Sequence, residues 1–223
     1  MNETFNPEKN DRESSDDPAR RREISALFWD VGGVILTNGW DWGSRRRAAE
    51  HFDLDWEEMQ ERHEQILADF ETGRLSLAEY LGRTVFYRAR PFTLSEFEAF
   101  VFAQSQPHPE TMEILEALAG TRKYLLSAIN NESLELNLHR IERFGLRRYF
   151  TVFFSSCFVG VRKPDEAIYR LALRVTQRSP DACLFIDDRE LNIESARLLG
   201  MCTIHYQSSA QLRDELRRHG VAL

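Results

Sequence analysis

The stretch Ile24-Ser25-Ala26-Leu27-Phe28-Trp29-Asp30-Val31-Gly32-Gly33-Val34 decides the fold. An apolar run suited to a buried strand stops on a carboxylate, and the glycines that follow let the backbone turn tightly. The same grammar returns at Cys183-Leu184-Phe185-Ile186-Asp187-Asp188, ahead of a stretch with helical periodicity. In an open parallel α/β sheet, residues just past the carboxyl ends of neighbouring strands converge, and ligands bind there. Asp30 and the Asp187-Asp188 pair, far apart along the chain, are therefore expected to face one crevice.

Outward from these two edges the pattern is regular. Strand-like runs occur at 24–31, 122–129, 150–155, 182–187 and 202–206, bounded by polar residues or glycine. Helical spacing fills the intervals after residue 107: Met112, Leu115 and Leu118 share one face, as do Ile168, Leu171 and Leu173, and Ile193, Ala196 and Leu199. Gly200 stands where a helix is closed by a left-handed glycine, and Pro164 stands near a helix start. Between the first strand and residue 107 there is helical periodicity without a strand, at Trp56–Phe70, Ser76–Phe86 and Leu94–Ala103. Ser76-Leu77-Ala78-Glu79 and Thr93-Leu94-Ser95-Glu96 have capping-box spacing. The expectation is an α/β protein: a Rossmann-like parallel-sheet core from residues 24–39 and 107–223, with an all-helical cap inserted at 40–106.

Composition narrows the function classes. The chain has 223 residues, 42% hydrophobic, enough for one sizeable core plus an insertion. A net charge of −7 gives no basic face for nucleic acid. The triplets Arg20-Arg21-Arg22 and Arg45-Arg46-Arg47 read first as solvated surface. Cys157, Cys183 and Cys202 lack metal or redox spacing, and Cys183 and Cys202 sit in apolar runs, which suits small buried hydrophobes in a reducing compartment. Residues 1–23 carry twelve charged side chains and are expected to form a disordered tail. With no apolar stretch long enough for a bilayer, the expectation is a cytoplasmic protein without membrane contact. Of 29 basic residues only Lys9, Lys123 and Lys163 are lysine, leaving 26 arginines. Lys163 lies in Gly160-Val161-Arg162-Lys163-Pro164, where a compact ammonium on a flexible stem can reach a phosphoryl oxygen.

Four segments at or just past predicted strand ends stand together: Asp30-Val31-Gly32-Gly33-Val34, Leu126-Ser127, Lys163-Pro164 and Ile186-Asp187-Asp188. Singly, each has a structural reading as a helix cap, a turn residue or a polar loop. In this order they resemble the haloacid dehalogenase-like (HAD) hydrolase superfamily over residues 24–210. Lys163-Pro164-Asp165-Glu166-Ala167-Ile168-Tyr169 is similar to the branch containing the phosphatase domain of soluble epoxide hydrolases and bacterial sugar-phosphate phosphatases. Glu71-Thr72-Gly73-Arg74-Leu75-Ser76 resembles part of the helical cap of such enzymes.

The resemblance implies a phosphatase that uses Mg²⁺ and a small phosphoester. Asp30 takes the nucleophile position, forming an aspartyl-phosphate that divides one hard displacement into two easier ones. Asp30, the Gly32 carbonyl and Asp188 are the implied Mg²⁺ ligands, with Asp187 supporting. Lys163, the Ser127 hydroxyl and the amides around Val31, Gly32 and Ala128 are the implied phosphate-binding groups, with Ser127 and Lys163 also in catalytic positions. Two features depart from the family. Gly32 stands where an acid/base aspartate is usual, so water or a linker residue such as Asp41 has to replace it. Ala128 stands where relatives carry asparagine, so Asn130 and Asn131 become candidate substrate contacts. Two other readings follow: a phospho-ligand or regulatory module that lost turnover through Gly32, and a 2-haloacid dehalogenase. The acidic pair Asp187-Asp188 argues against the dehalogenase, because without a cation it would repel an attacking carboxylate. Trp40, Trp42, His51, Trp56, His63 and Phe70 are candidates for an aromatic mouth in the cap.

Overall fold

The computed structural model describes residues 23–223, so the tail expected over residues 1–23 falls outside it apart from Glu23. Five parallel strands form one sheet in the order β3-β2-β1-β4-β5, with β1 at Ala26–Trp29, β2 at Leu125–Asn130, β3 at Val152–Ser155, β4 at Cys183–Asp187 and β5 at Cys202–His205. The central strand β1 pairs Trp29 with Ala128 on one side and with Ile186 on the other. Both of the acid-bearing edges therefore end side by side.

Because β1 and β4 are buried on both faces, β1 and the Cys183–Ile186 part of β4 are continuously apolar rather than alternating with polar residues. Leu27, Trp29, Leu184 and Ile186 point to one face, where Ile114, Leu115 and Leu118 of α5 (Pro109–Thr121) and Leu212 and Leu216 of α10 (Ser209–Arg218) cover them. Ala26, Phe28, Cys183 and Phe185 point to the other, under Ile168, Tyr169 and Ala172 of α8 (Glu166–Thr176) and Ile193 and Ala196 of α9 (Glu190–Leu198). This is the three-layer solution for a parallel sheet. Strand β2 begins at Leu125, three residues later than residue 122 of the expected run, because Arg122 adopts a left-handed conformation (φ 55°) that closes α5. Gly200 (φ +84°) ends α9 in the expected manner.

The segment between β1 and β2 is helical: α1 (Trp42–His51), α2 (Trp56–Glu71), α3 (Leu77–Thr84) and α4 (Leu94–Ala103), followed by α5. The capping boxes at Ser76/Glu79 and Thr93/Glu96 both close. These four helices bury their own apolar cluster, including Trp40, Met59, Phe70, Tyr80 and Phe97. Leu136 of α6 (Leu134–Arg143) joins that cluster from the core side. The Glu71–Ser76 segment docks them further: the Ser156 hydroxyl, at the start of α7 (Ser156–Val159), donates to the Glu71 carbonyl at 2.5 Å. Gly73 (φ +72°) comes so close to Cys157 that a Cβ would stand 2.6 Å from its carbonyl oxygen.

Helices α1, α6, α7 and α10 lie outside the stretches where helical spacing is expected. Cys202, expected to be buried, is half-buried because β5 is an edge strand. Among the described residues none of the three cysteines forms a disulfide. No helix among the described residues is long and apolar enough to cross a membrane.

Candidate active site

The site grows out of the carboxyl edge of the sheet. The Asp30 amide still donates to the Ile186 carbonyl (2.8 Å), so the first residue past β1 is tied to β4. Asp187 ends β4 and Asp188 follows it. Asp30, Asp187 and Asp188 each offer a carboxylate oxygen within 4.8 Å of the others. Between Asp30 and Asp187 sits the Lys163 ammonium, 2.9 Å from Asp30 Oδ1 and 2.6 Å from Asp187 Oδ2, with the lysine only 3% exposed.

Three carboxylates around one ammonium leave an excess of negative charge in a buried place. Burial, reinforced by Asp187 and Asp188, holds the Asp30 carboxyl far above the usual carboxylate range, and Lys163 offsets this only in part. Burial and then the Asp187 charge likewise raise Asp188. Burial works against the charge on Lys163, but Asp187 and Asp30 outweigh it and keep the ammonium protonated. A cluster of hard oxygen donors at this separation, short of positive charge, fits a small divalent cation such as Mg²⁺.

Each member of the cluster is held by specific neighbours. Asp187 accepts from the Arg189 amide (2.8 Å) and at both oxygens from Asn192 Nδ2 (3.0 Å each), so it is largely occupied. Tyr169 fixes the helix that carries Asn192 by donating to the Asn192 carbonyl (3.1 Å). Asn131 grips the backbone of Lys163 twice, accepting from its N–H at 2.8 Å and donating to its carbonyl at 2.9 Å. Gly33 has φ +76°, and a Cβ there would lie 2.2 Å from Asp188 Oδ2. Only glycine lets that carboxylate approach the turn.

Of the residues singled out in the sequence, Asp30, Gly32, Lys163 and Asp188 line one crevice of about 420 Å³, and Asp187 is buried beneath them. The Val31 amide donates to Asp30 Oδ1 (2.7 Å), while its side chain packs into the core. Ser127 and Ala128 require a correction. Ser127 pairs with Phe28 and Ala128 with Trp29, inside the sheet, and neither lines the crevice. The Ser127 hydroxyl is fully buried with no hydrogen-bond partner. Strand β2 runs on to Asn130, so its contributions to the crevice are Asn131 and Glu132. Asn130 is itself enclosed, donating to Asn137 Oδ1 (3.1 Å) and accepting from the Ser155 hydroxyl (2.7 Å).

Gly32 has its own neighbours. A Cβ on it would meet Asn38 Oδ1 at 2.9 Å and Arg140 Nη1 at 3.4 Å. The Arg140 guanidinium thus stands beside the place where a side chain at position 32 would project, and it is paired with Glu132 at 3.0 Å. On the opposite wall the crevice is lined by Trp40, Asp41, Trp42, Arg45, His63 and Phe70. His51 and Trp56 are not there: His51 stacks on Phe100 (5.2 Å between centroids) and Trp56 meets Trp42 edge-on (5.3 Å). Asn192, Arg140, Glu132 and Arg45 were absent from the sequence-derived set. Asn192 could have been suspected from its place in the first turns of the helix after Asp187-Asp188, whereas nothing local marks Arg140.

A family model described as haloacid dehalogenase-like hydrolase matches residues 24–200. Over 209 residues the chain is 25% identical to flavin mononucleotide hydrolase 1 of Arabidopsis thaliana, covering 93% of this chain and 82% of that protein. Over 73 residues it is 36% identical to bifunctional epoxide hydrolase 2 of Sus scrofa, covering 33% of this chain but 13% of that longer protein. A HAD family enzyme from Bacteroides thetaiotaomicron, solved in complex with magnesium and inorganic phosphate, superposes with a TM-score of 0.68 at 19% identity, covering 82% of this chain and 94% of that one. With its sheet order, its acidic edge and this match over most of its length, the chain belongs to the haloacid dehalogenase-like hydrolases.

Proposed function

We propose that the protein is a Mg²⁺-dependent phosphatase acting on a small phosphorylated metabolite of the sugar-phosphate class through an aspartyl-phosphate. The observation that carries this reading is the convergence of Asp30, Asp187 and Asp188 within 4.8 Å of one another, with the buried Lys163 paired to Asp30 and Asp187. An Asp30 oxygen attacks phosphorus, the bond to the leaving oxygen breaks, and that oxygen takes up a proton. Water then attacks the acyl phosphate, releasing phosphate and restoring the carboxylate. Mg²⁺ held by Asp30, the Gly32 carbonyl and Asp188 would neutralise charge between the anionic attacker and the anionic phosphoryl group. Lys163 offsets phosphoryl charge from the other side, and the Gly32 amide, which has no acceptor among the described residues, is available as a donor.

The proton has a candidate carrier. Besides the acidic cluster, Asp41, Glu71 and Glu132 line the crevice. Glu132 is bound to Arg140 and Glu71 to Arg162. Asp41 has no ion-pair partner among the described residues; one of its oxygens caps α1 by accepting from the Ser44 amide (2.7 Å), which leaves the other for proton transfer. Asp41 therefore takes the role that Gly32 leaves open. Helices α1 and α2 wall the crevice and favour a small substrate over a phosphoprotein.

A second reading, a phospho-ligand-binding module without turnover, is favoured by one observation: Arg140 and Asn38 crowd the position at Gly32 where an acid would stand. The dehalogenase reading is opposed by the acidic cluster, which would repel an attacking carboxylate if no cation were held. The test is phosphate release from a panel of sugar phosphates, nucleotides and small phosphoesters, with and without Mg²⁺, for the parent and Asp30→Asn. The phosphatase reading expects Mg²⁺-dependent release that Asp30→Asn abolishes. Binding of fluoroberyllate without release from any substrate would support the binding module instead.

A further inference from the structure

Arg45 and His63 form a second polar site on the cap wall of the crevice. Arg45 is 6% exposed, yet among the described residues it has no carboxylate within ion-pair distance. Its Nε donates to Gln60 Oε1 (3.0 Å) and its Nη1 to the Trp40 carbonyl (2.6 Å), while Nη2 has no partner among the described residues. The nearby acids are engaged elsewhere: Asp41 with the Ser44 amide, Glu64 with Gln60, and Glu71 with Arg162. A buried guanidinium is normally paired, because removing a charge from water without compensation is costly. By contrast Arg140, equally buried, is neutralised by Glu132.

His63, 2% exposed, lines the same wall. The Trp40 indole N–H donates to the Tyr80 hydroxyl (2.9 Å), so the hydroxyl proton is free to be donated to His63 Nδ1 (2.7 Å). In the neutral ring this chain of donation puts the remaining proton on Nε2. Burial, aided by the Arg45 charge, keeps the ring neutral. Nε2 has no acceptor among the described residues, so Arg45 and His63 present two unanswered donors to a crevice otherwise walled here by Trp40, Trp42 and Phe70.

We propose that Arg45 and His63 read a second anionic group, a carboxylate or a second phosphate, on the part of the substrate that departs from the phosphoryl group. This rests on the phosphatase reading for the order of events, since the phosphoryl end lies at Asp30 and the second anion at the cap. The preferred substrate class is thereby a phosphomonoester with an anionic tail. A charge-assisted hydrogen bond to such a tail is worth about 10- to 150-fold in kcat/KM over an analogue that lacks it.

Two matched pairs separate the sources of charge: 3-phosphoglycerate against glycerol 3-phosphate for a carboxylate, and fructose 1,6-bisphosphate against fructose 6-phosphate for a phosphate. The parent with Mg²⁺ is expected to favour the more anionic member of at least one pair by 10-fold or more in kcat/KM. Arg45→Gln is expected to bring that ratio near one, Arg45→Lys to restore part of it, and His63→Gln to reduce it. If Arg45→Gln does not fold, as judged by its melting curve, the Lys and His63 variants carry the same test. Calorimetric binding of the same four ligands to Asp30→Asn with Mg²⁺ reads the preference without turnover. Loss of all phosphate release with the binding preference intact sinks the phosphatase reading alone. A ratio near one both in the parent's kcat/KM and in the binding to Asp30→Asn, or a preference that survives Arg45→Gln, overturns the role of Arg45.

Discussion

Replacing Arg140 by methionine perturbs the pair that stands beside Gly32. Arg140 Nη1 lies 3.0 Å from Glu132 Oε2, and the two side chains are 2% and 10% exposed. Arg140 also donates through Nε to the Ser105 hydroxyl (3.0 Å) and through Nη2 to the Thr37 carbonyl (2.9 Å), joining α6 to both linkers of the helical insertion. Breaking a buried pair by removing one partner costs about 3–5 kcal/mol, and each neutral hydrogen bond lost adds about 1 kcal/mol, with some overlap. The expected loss is about 4–6 kcal/mol at pH 8, a fall in melting temperature of about 8–24 °C for a chain of this size.

The pH dependence follows from Glu132. Burial raises its pKa, and Arg140 pulls it back only in part. A carboxyl raised in the folded state contributes stability that is complete below its unfolded pKa and is lost as pH rises through the folded value. Without Arg140 the folded value moves further up, so the deficit of Arg140→Met should be greatest at pH 8 and shrink by pH 5, where Glu132 gains a proton. The double variant Arg140→Met/Glu132→Gln should recover part of the loss at pH 8. Urea unfolding of the metal-free protein at both pH values measures this. A deficit under about 1 kcal/mol at pH 8, or one equal at both pH values, would show that the Arg140–Glu132 pair does not carry this stability.

Ser127→Ala is expected to leave phosphate release intact and to keep or raise stability by about 1 kcal/mol, since it removes a buried hydroxyl without a partner; a large fall in kcat would return Ser127 to the site. Asn131→Ala should cost about 1–3 kcal/mol in a denaturation experiment and lower kcat as well, because the Lys163 backbone loses both of its side-chain partners. Asp41→Asn should lower kcat by about 10²–10⁴ for alkyl phosphates and far less for p-nitrophenyl phosphate, whose leaving group needs no proton. An unchanged pH–rate profile for alkyl phosphates would remove Asp41 from proton transfer.

The parts of this protein legible in its sequence are those where local chemistry and topology agree. The runs ending in Asp30 and Asp187 are buried on both faces, so their continuous apolar character marks central parallel strands, and the carboxylates that break it mark the edge. Lys163 stood out among arginines and sits between those carboxylates. Ser127 misled because a polar residue in a strand suggested its end, whereas β2 runs three residues further and encloses it. Helix α1 was hidden by Arg45-Arg46-Arg47, which reads as solvated surface. Ala48 and Ala49 bury its inner face with little apolar bulk, and Arg45 alone of the three turns inward. Arg140 and Glu132 meet only through tertiary packing, which no local spacing encodes.

In the proposed site Asp30 and Asp188, on separate strand ends, hold one divalent cation between them. Calorimetric titration of Mg²⁺ into the metal-free parent, Asp30→Asn and Asp188→Asn tests it most directly. One site per chain is predicted for the parent, weakened at least about 10-fold by either substitution alone. Mg²⁺ binding that is unaffected by either substitution would contradict the claim.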